Sequence, residues 1–144
     1  MDTQILDKDI KVLAMQVKTF PQGIQEAFDK LNDLVAGDQW SRNVFGLSHG
    51  SRDGVVYYAA ISQSFDGEAE ELNCEELVVP AGIYAVKRIN NWREQLQNIG
   101  NAFCELMQEP DFDHVTPCIE WYQNPDQMLC MVKLNQVTNN PITK

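Results

Sequence analysis

The hydrophobic positions of the first half of the chain predict a strand, a helix and a hairpin, in that order. Apolar and polar residues alternate over about residues 10–19, which is the period of a β-strand. Apolar residues then recur three and four positions apart over about 22–36, which marks one face of a helix. Two β-prone runs, 44–47 and 55–61, flank a loop rich in glycine, serine and aspartate, as in a β-hairpin.

The second half of the chain repeats this order about 70 residues later. An extended stretch over 77–88, interrupted at Pro80, precedes a helical apolar stripe over about 92–108. Pro110 ends that helix, because proline cannot extend it. A second hairpin follows, with strands at 118–122 and 128–134. The halves share the pattern and few of the residue letters.

This duplication predicts an α+β fold. We expect one domain over residues 1–144, built of two β-α-β-β units at about 10–64 and 75–136 and related by a pseudo-twofold. The strands form an antiparallel sheet, and both long helices lie on one face of it. The junction of two such units is a preferred place for a small-molecule pocket.

The charge balance narrows the classes of partner. The chain has 11 Lys and Arg against 21 Asp and Glu, a net charge of −10, without a basic patch. Such a surface repels phosphate backbones, so we expect no direct contact with nucleic acid. No apolar run reaches the roughly 18 to 20 residues of a membrane span, and the first nine residues are too polar for a secretory signal. We therefore predict a cytoplasmic protein.

Metal and cofactor chemistry is not indicated. The four cysteines form no CxxC pair, so we expect reduced thiols rather than a zinc knuckle or a disulfide framework. The acidic loop at 109–114 has a single histidine and lacks metal-ligand spacing. Neither a phosphate-binding glycine loop nor a nucleophile elbow is present. We assign no metal, cofactor or catalytic residue.

The residue with the clearest candidate chemistry is Glu120, in the middle of a predicted strand. Alternation puts Glu120 and Tyr122 on one face, and Ile119 and Trp121 on the other. Glu120 either lies on a solvated face or lies in a pocket, where an unpaired carboxylate needs a cation. Aromatic neighbours would add cation–π attraction of about 0.5 to 2 kcal/mol each.

Three other aromatic residues have open interpretations. Tyr57 and Tyr58 point to opposite faces of their strand, so only one of them can face a given cleft. Trp92 begins the apolar stripe of the second helix, and it either packs in the core or contacts a ligand.

Three segments carry a resemblance to a known family: VFGL at 44–47, VPAGIYAV at 79–86 and PCIEWY at 117–122. Their order on a duplicated frame resembles the bacterial GyrI-like small-molecule-binding family. That family includes the effector-binding domains of AraC-type and MerR-type transcription regulators and stand-alone DNA gyrase inhibitory proteins. The resemblance covers about residues 10–136, and the remaining tails are too short for a helix-turn-helix reader. We therefore expect a free-standing domain.

The resemblance implies a cleft between the repeats, with Glu120 on its floor and aromatic walls that receive lipophilic cations. The ligand-binding residues that we predict are Glu120, Tyr122, Tyr57, Trp92 and Phe45. The chain departs from the family pattern just before the second helix. A turn of small residues is usual there, and a tryptophan at that point would narrow the cleft or form its lid.

Three functions remain open. The first is a binding protein for cationic aromatic compounds. The second is a protein-interaction module that inhibits gyrase or partners a transcription regulator. The third is a hydrolase of reactive genotoxins, in which Glu120 would act as general base; an enzyme is the least expected of the three. The sequence is compatible with a monomer or a homodimer.

Overall fold

The computed structural model describes residues 2–18, 22–37, 41–51 and 54–135, and within them the chain forms eight strands and three α-helices. The helices are α1 (Ile24–Leu34), the short α2 (Glu68–Glu71) and α3 (Leu96–Leu106), and a 3₁₀ turn, Trp92–Glu94, precedes α3. The strands are β1 (Asp2–Leu6), β2 (Ile10–Gln16), β3 (Val44–Ser51), β4 (Gly54–Ser62), β5 (Glu75–Val79), β6 (Gly82–Asn90), β7 (Cys118–Tyr122) and β8 (Gln127–Lys133).

The strands make one antiparallel sheet in the order β1-β6-β8-β7-β3-β4-β2-β5. Repeat one (β2, α1, β3, β4) supplies one half of the sheet, and repeat two (β6, α3, β7, β8) supplies the other. The halves meet where β3 pairs with β7, which are corresponding strands of the two repeats. The strand before each repeat pairs with the other repeat: β1 with β6, and β5 with β2. This exchange has the predicted pseudo-twofold arrangement.

The sheet curls so that its two edges approach each other. Five strands lie between β1 and β2 in the sheet order, which is about 29 Å at the usual strand spacing. The three residues that connect β1 to β2 can span at most about 14 Å. A flat sheet could not satisfy both distances, so the sheet must curl to bring β1 and β2 together. The Ala81 amide donates a hydrogen bond to the Asp9 carboxylate at 2.7 Å, which ties the β1–β2 connection to the β5–β6 connection.

Each face of the curled sheet has its own apolar core. In the described ranges, the inner-face core contains no helix residue; it is built of strand side chains from both halves, among them Phe45, Ile119 and Met131. The helix-face core contains α1 and α3 and the strand residues beneath them. The prediction that both long helices lie on one face is confirmed. Both use the same stripe, I-x-x-A-F-x-x-L, which is Ile24, Ala27, Phe28 and Leu31 in α1 and Ile99, Ala102, Phe103 and Leu106 in α3.

Two predicted boundaries shift. The second helix begins at Leu96 rather than at residue 92, because Gln95 has a non-helical backbone (φ −131°, ψ 38°) that separates the 3₁₀ turn from α3. The loop predicted between the first two hairpin strands is mostly strand, since β3 runs to Ser51 and β4 starts at Gly54. Residues 19, 52, 53 and 136, which belong to predicted segments, lie outside the described residues.

Candidate functional site

The seam between the two repeats places three residue pairs on the helix face. In the β3–β7 register, Val44 faces Tyr122, Gly46 faces Glu120, and Ser48 faces Cys118. Side chains alternate along a strand, and Val44 and Tyr122 belong to the helix-face core, so the other two pairs point the same way. Because β3 and β7 are corresponding strands, the pseudo-twofold passes beside the Gly46–Glu120 pair.

Glu120 is held by two phenols at the centre of this seam. Its Oε1 accepts a hydrogen bond from the Tyr57 hydroxyl at 2.6 Å and another from the Tyr122 hydroxyl at 2.6 Å. Tyr57 comes from repeat one and Tyr122 from repeat two, and both are buried. The carboxylate therefore joins the two halves through a single oxygen atom.

Gly46 makes room for this arrangement. A Cβ at Gly46 would overlap the Tyr57 hydroxyl and would lie 2.5 Å from Glu120 Oε1. Any larger residue would displace the phenol or the carboxylate. This close approach, rather than an unusual backbone angle, is what requires glycine at this position.

The electrostatics of the cluster are those of a buried carboxyl group whose charged form is disfavoured by burial. Burial raises the pKa of Glu120, and the hydrogen bonds from Tyr122 and Tyr57 oppose that shift only in part. Burial and the adjacent Glu120 charge raise the pKa values of Tyr57 and Tyr122 well above 10, so both phenols remain protonated donors. Among the described residues no lysine, arginine or histidine forms an ion pair with Glu120.

The second carboxylate oxygen has a different environment from the first. Oε2 accepts no hydrogen bond from any residue of the described ranges. Glu120 also keeps part of its surface accessible, although protein atoms surround the carboxylate closely enough to raise its pKa. Glu120 is therefore reachable in part, and Oε2 is its oxygen without a hydrogen-bond donor among the described residues.

Aromatic side chains pack around Tyr122, beside Glu120. Phe28 of α1 packs edge-on against Tyr122, with ring centroids 5.7 Å apart. Trp92, on the 3₁₀ turn, packs against the same ring at 5.1 Å. The Arg93 guanidinium lies 4.9 Å from the Trp92 ring, in a cation–π contact. The Trp92 indole Nε1 is buried and has no acceptor in the described part of the chain.

Four of the five predicted ligand-binding residues lie together, and one does not. Tyr57, Trp92, Glu120 and Tyr122 share the helix face. Phe45 is fully buried on the inner face, where its ring lies 5.5 Å from that of Trp121. Its position follows from alternation along β3, because Phe45 is the neighbour of Gly46 and points the opposite way.

Sequence reasoning did not include two members of the cluster. Phe28 occupies a regular position of the α1 stripe, so nothing local distinguishes it from a core residue. Gly46 lies in the VFGL segment, but its role depends on the β3–β7 register, which links residues 74 positions apart.

A separate groove of about 800 Å³ runs between β6 and α3. An ion pair of 2.8 Å between Lys87 and Glu105 joins two of its lining residues. No member of the Glu120 cluster lines it. The described residues contain no group of three or more side chains suited to hold a metal ion. They also contain no helix that is both long and apolar enough to cross a membrane.

Comparison with known proteins gives the fold and not the family. No family model matches the chain, and no curated protein matches it. Among solved structures it is similar to SAV2435 bound to tetraphenylphosphonium, with a TM-score of 0.69, 13% identity and 94% of each chain covered. It is also similar to a hydrolase from Listeria innocua, with a TM-score of 0.61, 10% identity, and 93% and 90% covered.

A third neighbour belongs to a longer chain. EcmrR in a complex with DNA has a TM-score of 0.65 and 12% identity, and the match covers 93% of this chain but only 56% of that one. At these identities the likeness concerns the fold. It is a fold found in a ligand-bound protein and in part of a DNA-bound one.

Proposed function

We propose that this protein binds small organic cations that carry apolar or aromatic groups, and that the cation lies against Glu120. The observation that carries the proposal is the partly enclosed carboxylate with hydrogen-bond donors on one oxygen and, within the part of the chain that the structure describes, no basic side chain paired with it. A carboxylate in such a place is costly unless a positive charge accompanies it. A cationic guest supplies that charge.

The shape of the cluster favours an organic cation over a metal ion. A hard metal ion prefers several oxygen ligands, whereas among the described residues this cluster offers the one carboxylate oxygen Oε2 beside the rings of Phe28, Trp92 and Tyr122. Each aromatic face that meets the cation would contribute about 0.5 to 2 kcal/mol. These rings also provide the apolar area that a lipophilic ligand buries.

The comparisons support the same ligand class as a hypothesis. A protein of similar fold is known bound to tetraphenylphosphonium, a cation that has no N–H donor and is surrounded by aromatic rings. We extend the proposal to a GyrI-like role in which this chain senses or sequesters its ligand in the cytoplasm. In this role it does not contact DNA itself, and any effect on transcription or on gyrase passes through a protein partner.

The test is a titration with tetraphenylphosphonium, followed by thermal shift and tryptophan fluorescence. A ligand at 100 times its dissociation constant stabilises the fold by about 2.7 kcal/mol. Trp92 is expected to report binding directly, since it packs on Tyr122. Neutral triphenylphosphine oxide serves as the uncharged comparison, and it should bind at least about tenfold more weakly, a difference of about 1.4 kcal/mol.

Glu120→Gln decides whether the carboxylate is the reason for binding. The amide keeps the size of the side chain and removes its charge, so the response to the phosphonium should fall to that of the neutral compound. Glu76→Gln is the matched control, because it removes one negative charge from an exposed position on β5. Equal binding by the wild type and Glu120→Gln, or no binding by the wild type, would contradict the proposal and favour a protein-interaction role.

A further inference from the structure

The two ends of the β3–β7 seam are unlike on the helix face. At one end, Tyr122 faces Val44, and Phe28 and Trp92 cover the Tyr122 ring. At the other end, Ser48 faces Cys118, and both of these short side chains are only half-buried. Glu120 lies between the ends. Protein therefore fills one side of the carboxylate more fully than the other.

The pseudo-twofold explains this asymmetry. It exchanges Ser48 with Tyr122, and Val44 with Cys118, because the axis passes beside the Gly46–Glu120 pair and each of these residues lies two positions from that pair along its own strand. Ser48 thus stands in repeat one at the position that a phenol occupies in repeat two. Serine is much smaller than tyrosine, so the side chain of Ser48 does not fill the volume that the Tyr122 ring fills in repeat two.

Helix α3 bounds the Ser48–Cys118 end. The Cys118 thiol lies 4.0 Å from the Met107 sulfur, just beyond the last turn of α3, and Met107 is 39% exposed. Phe103 occupies the position in the α3 stripe that Phe28 has in α1. Since Phe28 packs against Tyr122, the pseudo-twofold directs Phe103 toward Ser48, the counterpart of Tyr122. A methionine is an adaptable wall, because its unbranched thioether fits ligands of different shape.

We infer that the surface over Ser48 and Cys118, bounded by Phe103 and Met107, is the sub-site for the apolar group of the ligand. The inference rests on the proposed function, since it assumes a cation at Glu120. The cation lies against Oε2, and the attached ring extends away from Tyr122 over the two short side chains. Cys118 and Glu120 are two residues apart on one strand, about 7 Å at the strand rise.

This geometry specifies the ligand more closely than charge alone. The preferred compounds are cations with an aromatic ring within about 7 Å of the charged atom, the spacing set by the strand. Compact tetraalkyl cations would reach Glu120 and leave the sub-site empty. The residues at the Ser48–Cys118 end therefore select for the size of the apolar group, whereas Glu120 selects for charge.

Ser48→Tyr tests the sub-site by placing at Ser48 the side chain that its counterpart carries. We expect affinity for tetraphenylphosphonium to fall by more than about tenfold, which is 1.4 kcal/mol. Affinity for tetraethylammonium should stay within about threefold, because that cation does not need the sub-site. His49→Tyr is the matched control: it adds the same side chain to the next, exposed position of β3, which points to the other face.

Met107→Ala keeps the inference testable if Ser48→Tyr does not fold. Loss of this partly exposed side chain should weaken the affinity for tetraphenylphosphonium by about threefold to tenfold and leave the affinity for tetraethylammonium unchanged. If the wild type binds, Glu120→Gln does not, and both sub-site variants bind the phosphonium as the wild type does, the sub-site is wrong and the proposed function stands. If the wild type binds no cation, the proposed function itself fails.

Discussion

The two faces of strands β3 and β7 have opposite chemistry although they share the same backbone. On the inner face, Phe45, Leu47 and Ile119 are buried among apolar side chains. On the helix face, one residue along, Gly46 and Glu120 form a polar cluster with two phenols. The inner face of these strands therefore contributes apolar packing alone, while the helix face also buries a carboxyl group. One pair of strands can thus hold an apolar core on one face and a candidate binding site on the other.

The largest expected effect on stability comes from removing a buried side chain of the inner-face core. Phe45→Ala removes a ring with 0% exposure that packs on Trp121, and we expect a loss of about 3 to 5 kcal/mol in the free energy of unfolding. Urea denaturation measures this free energy for the wild type and the variant. Phe65→Ala is the control, because Phe65 is 51% exposed and its loss should change stability by no more than about 0.5 kcal/mol. Phosphonium affinity of the folded Phe45→Ala protein should stay near that of the wild type, and a large loss of affinity would show that the faces are coupled.

Gly46→Ala should have the next largest effect, and it acts on the helix face. The new Cβ would displace the Tyr57 hydroxyl or the Glu120 carboxylate, so we expect a loss of about 3 kcal/mol, the upper end of ordinary overpacking. Gly50→Ala is the matched control in the same strand, since a Cβ there meets no atom within 4 Å. Similar thermal midpoints for the two variants would contradict the close approach at Gly46.

Tyr57→Phe removes one donor from Glu120 and leaves the ring in place. A hydrogen bond to a charged group is worth about 1.5 kcal/mol or somewhat more, and we expect a loss of that size near neutral pH. Tyr58→Phe is the control, because Tyr58 points to the opposite face. The variant should also raise the pKa of Glu120 further, since the Tyr57 hydrogen bond lowers it. Equal stability of the two variants would argue that the Tyr57 bond to Glu120 is not formed.

The sequence predicts these two faces unequally, for physical reasons. Alternation within β7 correctly places Glu120 with Tyr122 and away from Trp121, because the period of two is a local property. Placing Phe45 and Gly46 relative to Glu120 requires the register between β3 and β7, which depends on distant contacts. Both faces of the sheet carry an apolar core, so an apolar residue at position 45 could belong to either face. Its residue type alone does not say which.

The same contrast holds for whole elements. Helices α1 and α3 are predictable because their apolar stripes repeat every turn. Strand β1 is not predictable in this way. It is an edge strand in which only Leu6 is buried, so its residues are mostly polar and show no apolar pattern. Its partner β6 comes from the other repeat, more than 70 residues away, so pairing rather than local preference makes it a strand.

The smallest expected effect is the pH dependence that Glu120 contributes. Burial raises its pKa in the folded state above the ordinary value of 4.5, so the folded protein holds the proton more tightly than the unfolded chain. Stability falls with rising pH wherever the native state binds more protons, so Glu120 destabilises the fold as the pH rises from about 4.5 through the raised pKa. The free energy of unfolding of the wild type minus that of Glu120→Gln should therefore decrease over this window and then level off. Glu76→Gln controls for net charge. A difference that rises with pH would mean that the two phenols outweigh burial, and the helix face would then stabilise its carboxylate without any cation.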